Sequence, residues 1–218
     1  MTTPQQAAEI DTRLKGLYPV ATIALGYETD FQLLIAVILS AQTTDIGVNK
    51  VTPVLFERFP TPEALAGADP AEIEQIVHST GFFRNKTKNI IGAAQRIVAE
   101  YDGHVPDTMA DLLTLPGVAR KTANIVLYNA FGKAEGVAVD THVFRLAHRL
   151  GYSAQKDTGK VERDLMALFP SREWGALTYR LIEHGRAICD ARRPICGQCA
   201  LSDICPSAFT VKGWREQA

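Results

Sequence analysis

Residues Asp111 to Asp140, DLLTLPGVARKTANIVLYNAFGKAEGVAVD, decide how the chain is read. Leu115-Pro116-Gly117-Val118-Ala119 has the composition of a tight turn: Pro116 restricts φ, and Gly117 tolerates a positive φ that other residues resist. Beyond it, Ala123, Val126, Leu127, Ala130 and Phe131 recur at helical spacing and are predicted core. Lys121 lies two residues before Ala123, about 200° round the helix, so it points away from that stripe. A short helix over 107–113, the turn, and the helix to Phe131 make a helix-hairpin-helix pattern. The free N–H groups opening the second helix, with the positive end of its dipole, suit a phosphate and read no base. An ordinary helix–helix turn explains the turn residues equally well.

Lys121 and Asp140 are the candidate catalytic residues. Taken alone, Lys121 reads as a solvated surface lysine. A nucleophilic amine must be neutral, which only about one ordinary lysine in a few thousand is near neutral pH; a first-turn position and burial both favour that form. Val143, Leu146, Ala147 and Leu150 define a further helix starting at about Thr141, with Asp140 as its N-cap. Capping alone accounts for an aspartate there. The roles are compatible, because a carboxylate held by N–H donors stays ionised, able to stabilise positive charge or take a proton. Thr141 and His142 are read as local hydrogen-bond partners.

Outward from this stretch, nearly every segment reads as helix and no period-two alternation is sustained, so the class is all-α with about ten helices. Ile10–Leu17 is the end of a first helix. Asp30 is expected to cap a second, buried helix over Phe31–Ala41, and Asp45 a third to about Phe59. Asp69-Pro70 opens a short helix to about His78. A long helix ends near Tyr101, and others lie near 141–150, 158–168 and 172–188. Arg84, Lys86 and Lys88 form a basic cluster that either flanks a polyanion or is simply solvated.

A formal net charge of −1 excludes a histone-like binder relying on bulk charge. The distribution is uneven: residues 1–144 carry 11 basic and 16 acidic side chains, residues 145–218 carry 12 and 8, so a polyanion leans on the C-terminal part. No secretory signal is visible. The longest apolar run, Leu33–Leu39, is far short of the roughly 20 residues a membrane span needs.

Cys189, Cys196, Cys199 and Cys205 give C-x6-C-x2-C-x5-C. Four thiols so close together in an unsecreted chain point to a metal site rather than disulfides; tetrahedral zinc and a 4Fe–4S cluster both fit the spacing. Arg192 and Arg193 would sit on the metal-pinned loop between the first two cysteines, suited to a phosphate contact. The alternative is a site that only staples a helix-poor tail.

Leu115-Pro-Gly-Val-Ala-Arg-Lys-Thr-Ala123, Val137-Ala-Val-Asp-Thr-His-Val143, Leu39-Ser-Ala-Gln-Thr-Thr-Asp45 and the cysteine spacing together resemble the endonuclease III family of base-excision enzymes. The resemblance runs from about residue 10 to Cys205. It implies two α-helical domains flanking a DNA-binding cleft: a six-helix domain over 22–132, and an iron–sulfur domain formed by 1–21 and 133–218. It implies one 4Fe–4S cluster on the four cysteines. It also implies a monomeric cytoplasmic enzyme, associated with the nucleoid through double-stranded DNA carrying damaged bases or abasic sites. The implied activity is a bifunctional glycosylase and lyase. An oxidised pyrimidine is flipped out; Lys121, helped by Asp140, displaces it and forms a Schiff base; β-elimination nicks the strand on the 3′ side. Gln42 matches the residue filling the vacated stack. Phe82 stands where the family usually has an aliphatic wedge, and Ala119 where the hairpin usually has another glycine beyond Gly117. The methyl group of Ala119 is expected to crowd the phosphate.

Three other readings compete. A related adenine-excising glycosylase shares the fold and cluster but lacks the lysine and usually carries a further C-terminal domain, so Lys121 and the end at Ala218 count against it. A non-catalytic iron–sulfur DNA-binding or redox module would bind DNA unchanged by Lys121→Gln. A zinc-stapled helical interaction protein would be colourless and free of iron.

Overall fold

The computed structural model describes residues 2–217, and the described residues contain helices and turns but no strand. The chain divides into two compact units, Ala24–Lys133 and Met1–Ile23 with Ala134–Ala218. No helix among the described residues is long and apolar enough to cross a membrane.

In the first N-to-C order, α1 (Pro4–Leu17) belongs to the unit built from both chain ends. Ile10–Leu17 is its end, as expected, and it starts at Pro4, where Thr3 and Gln6 form a reciprocal capping box and Pro4 occupies the first turn. The unit Ala24–Lys133 then holds α2 (Asp30–Leu39), α3 (Asp45–Arg58), α4 (Pro62–Ala66), α5 (Pro70–Val77), α6 (Phe83–Glu100), α7 (Met109–Leu112) and α8 (Arg120–Phe131). Every residue of α2 from Phe31 to Leu39 is buried, making it the central rod of this unit, packed by α3, α6 and α8. Its one buried polar side chain is satisfied: Gln32 Oε1 accepts the Glu28 N–H at 2.8 Å.

Two caps differ from expectation. Thr29, not Asp30, caps α2, and Thr44, not Asp45, caps α3; each hydroxyl accepts an N–H three residues on. Adjacent Thr and Asp both suit the cap. The extended backbone falls on the threonine, leaving each aspartate in the first turn, where its charge still complements the helix dipole. Asp69 caps α5 through the Ala71 N–H, as expected.

The other unit continues with α9 (Thr141–Arg149), α10 (Thr158–Leu168) and α11 (Trp174–Ala187). Ile10 and Leu14 of α1 join Val143, Leu146, Leu165, Leu177, Leu181 and Tyr152 in its core. An ionic network, buried at Arg180 and Asp11 and open to solvent at Lys15, ties α1 to α11. Arg180 pairs with Asp11 and with Glu173 (2.7 Å), and Lys15 Nζ lies 2.9 Å from both carboxylates. Burial alone would raise the Glu173 carboxyl, but hydrogen bonds from Arg180 and Lys15 outweigh it and hold it below the usual range. Removing one partner of the buried Arg180–Asp11 pair typically costs about 3–5 kcal/mol.

Candidate DNA-binding and catalytic site

Within the unit Ala24–Lys133, the hairpin is formed by the end of α7, the turn to Ala119, and α8. Leu115 and Val118 are buried, and the Val118 N–H closes the turn onto the Leu115 carbonyl at 3.1 Å. Gly117 has φ +79°, and a Cβ there would lie 2.9 Å from the Asn89 Cβ of α6, so both conformation and space demand glycine. Pro116 packs against Gly92 one turn further along α6.

At Ala119 the backbone is extended (φ −103°, ψ 170°), a conformation any residue adopts, so its side chain strains nothing locally. Ala119 is the N-cap of α8 and provides no side-chain hydrogen bond, and Gly117 and Ala119 are both exposed. The start of α8 is therefore an exposed, positively polarised helix end without a side-chain oxygen covering it.

Lys121 sits in the first turn of α8, half-buried, and makes no hydrogen bond or ion pair among the described residues. Ala123, Val126 and Leu127 are buried beneath it as the stripe predicted; Ala130 and Phe131 are half-buried. In the other unit, Asp140 is the N-cap of α9, with Oδ1 accepting the Val143 N–H at 2.8 Å. His142 accepts from Arg145 Nη2 at 3.2 Å, a local contact of the kind expected.

Gln42 and Phe82 share an unusual property. Both are exposed, and both have left-handed backbones, φ +54° and +48°. For non-glycine residues this costs about 1–2 kcal/mol each, the kind of strain that collects at functional loops. Phe82 is 66% exposed, an aromatic ring offered to solvent at the start of α6.

The basic cluster does not behave as one patch. Arg84 and Lys88 are exposed, whereas Lys86 is 4% exposed and points inward. Its Nζ donates to Thr43 Oγ1 at 2.5 Å and to the Thr80 carbonyl at 2.7 Å. Burial alone lowers its pKa from the ordinary value. Neither flanking contact nor solvation, the two readings of the cluster, describes this residue. Helical phase held the signal, since Lys86 stands four residues before the buried Ile90.

In the unit formed by both chain ends, the four cysteines line a single small pocket of about 30 Å³, partly open to solvent, whose walls include Ile188, Ile195 and Leu201. Burial pushes the Cys199 thiol up to about 11, and Cys189, Cys205 and Cys196 push it the same way. Such a set of thiols is a poor neighbour to itself unless a cation draws off the protons. N–H groups already point at sulfur: Arg149 Nη1 lies 3.3 Å from Cys189 Sγ, and the Leu201 N–H donates to Cys199 Sγ at 3.4 Å. His184 Nε2 stands 3.5 Å from Cys199 Sγ. Among the described residues, no three His, Cys, Asp or Glu side chains stand close enough to hold one metal ion.

The loop after Cys189 is held from below. Arg149 donates to the carbonyls of Asp190 and Ala191, both at 2.7 Å, and Asp190 Oδ1 accepts the N–H groups of Arg192 and Arg193, both at 2.9 Å. Both of those side chains are exposed. Sequence reasoning missed Arg149, because its partners lie some forty residues away.

Known proteins resemble the chain in sequence and in fold. Residues 35–171 match the HhH-GPD superfamily of base excision DNA repair proteins. Endonuclease III of Synechocystis sp. is 59% identical over 204 residues, 94% of this chain and 93% of the relative. The solved structure of a non-covalent endonuclease III–DNA complex is 41% identical and superposes with a TM-score of 0.92, covering 96% of this chain and 98% of that one. A trapped endonuclease III–DNA covalent intermediate, with an estranged adenine, has the same identity and TM-score and covers 96% and 99%. On these grounds the chain belongs to the endonuclease III family, within the HhH-GPD superfamily of base excision DNA repair proteins.

Proposed function

We propose that this chain excises oxidised pyrimidines from duplex DNA and then nicks the strand through a Schiff base on Lys121. The observation that carries this reading is the unpaired Lys121 amine in the first turn of α8, just after an uncapped, exposed helix end. That end holds a phosphate through backbone N–H groups, while Gln42 and Phe82 enter the stack from their exposed loops and Arg192 and Arg193 steady the backbone.

The electron flow is simple. The neutral Lys121 amine attacks C1′ of the deoxyribose, the glycosidic bond breaks, and the base leaves with the bonding pair and takes up a proton. The Nζ lone pair then forms the C1′=N bond of an iminium as the C1′–O4′ bond breaks, and O4′ keeps that pair and takes up a proton. Loss of a C2′ proton then expels the 3′ phosphate, and water releases Lys121 from the unsaturated sugar. Asp140 supports the first step as an ionised carboxylate, stabilising developing positive charge or accepting a proton.

The four cysteines fit a 4Fe–4S cluster better than a single zinc ion. The donor set is all thiol, the pocket is walled by apolar side chains, and N–H groups reach two sulfurs. When bound, the cluster would pin the tail and the loop presenting Arg192 and Arg193. With chromosomal DNA as substrate, we place the enzyme in the cytoplasm, on the nucleoid.

Strand cleavage of a duplex with one oxidised pyrimidine tests the reading. Base release with a nick on the 3′ side supports it; base release leaving intact strands, or no reaction, contradicts it.

A further inference from the structure

We propose that Lys86 is a positioning residue for DNA insertion: its buried ammonium ties the Gln42 loop to the Phe82 loop and sets how the two side chains enter the duplex. The inference rests on the proposed role of these loops in DNA. Thr43 follows Gln42 directly, and Thr80 precedes Phe82 by two residues. Lys86 Nζ donates to both, at 2.5 Å to Thr43 Oγ1 and 2.7 Å to the Thr80 carbonyl. The Thr43 hydroxyl also donates to the Thr80 carbonyl at 2.5 Å, closing a triangle.

No acidic side chain pairs with Lys86 among the described residues, and it lies in the first turn of α6, where the helix dipole opposes a cation. A buried cation with only neutral partners is a poor choice for packing alone; an apolar side chain of the same length would stabilise the unit more. What the ammonium adds is a bond to each loop at once. Each of the loops joined carries an exposed residue with a left-handed backbone, Gln42 in one and Phe82 in the other, a conformation shared among the described non-glycine residues by Asp102 and Phe209. Freed from the tie, each would relax toward commoner angles and withdraw its side chain.

The test uses the full chain with its metal site loaded, as wild type, Lys86→Met and Thr43→Val. 2-Aminopurine opposite a non-cleavable abasic analogue reports loop insertion without chemistry. Wild type should raise its fluorescence on binding, whereas both variants should lose most of that rise. Both should lose about tenfold in the rate of base removal from a paired lesion, equivalent to about 1.4 kcal/mol, and nick a preformed abasic site within about twofold of wild type. The melting temperature of Lys86→Met should not fall. If Lys86→Met does not fold, Thr43→Val alone must show the selective loss. Equal loss of both activities together with stability would mean a merely structural lysine and overturn the proposal, as would unchanged fluorescence in either folded variant or no rise in wild type. A wild type that raises fluorescence yet never nicks would leave the tie intact and refute the assigned activity.

Discussion

Asp140 Oδ1 accepts the backbone N–H of Val143 at 2.8 Å, so the proposed catalytic carboxylate is also the cap of α9. The two roles separate by substitution. Asparagine caps as well as aspartate, so Asp140→Asn should change unfolding free energy by less than about 0.5 kcal/mol. It removes the negative charge, and base removal should slow by roughly a hundredfold while DNA affinity is kept. Stopped-flow base release beside a denaturant melt checks both; equal rates would leave Asp140 only a cap.

The uncapped start of α8 makes a second pair of opposed effects. Ala119→Asp supplies the missing cap and should stabilise the unit by about 1 kcal/mol. The same carboxylate competes with a DNA phosphate for the helix amides, so Kd should rise by roughly tenfold or more. Gly117→Ala should weaken DNA binding and destabilise together, since its φ of +79° and the nearby Asn89 reject a methyl group. Fluorescence anisotropy and thermal melts read both variants.

Iron and sulfide assays decide the metal site. The purified protein should be brown and carry about four iron atoms and four sulfides per chain. Cys196→Ser should lose most of the iron and expose the tail after Ile188 to proteolysis. A colourless, zinc-containing protein would contradict the cluster.

Glu173 predicts how the fold answers acid. Its folded pKa lies below the ordinary 4.5, so the unfolded chain binds this proton more readily. The stability it contributes is complete above pH 4.5 and is lost as pH falls through the folded value. Urea melts should show wild type losing stability on acidification over that range. Glu173→Gln should be less stable at neutral pH with a flatter acid limb.

What the sequence made legible was local. The hairpin was readable because Pro116 and Gly117 are themselves the turn chemistry, and α8 because its apolar residues keep one phase. The cysteine spacing was readable because four thiols in seventeen residues have few other uses. Partners distant in sequence were not readable. Nothing near Lys86 announces Thr43, and nothing near Arg149 announces the carbonyls it holds at 190 and 191. The caps of α2 and α3 slipped by one residue because Thr and Asp stand side by side, and only the angle of the incoming backbone chooses between them.

The central claim is a covalent bond between Lys121 and deoxyribose, and borohydride reduction of the reacting complex followed by peptide mapping tests it directly. The account predicts a single DNA-linked peptide carrying the modification on Lys121, and no adduct with Lys121→Gln. An adduct on another residue, or none despite demonstrable strand scission, would contradict it.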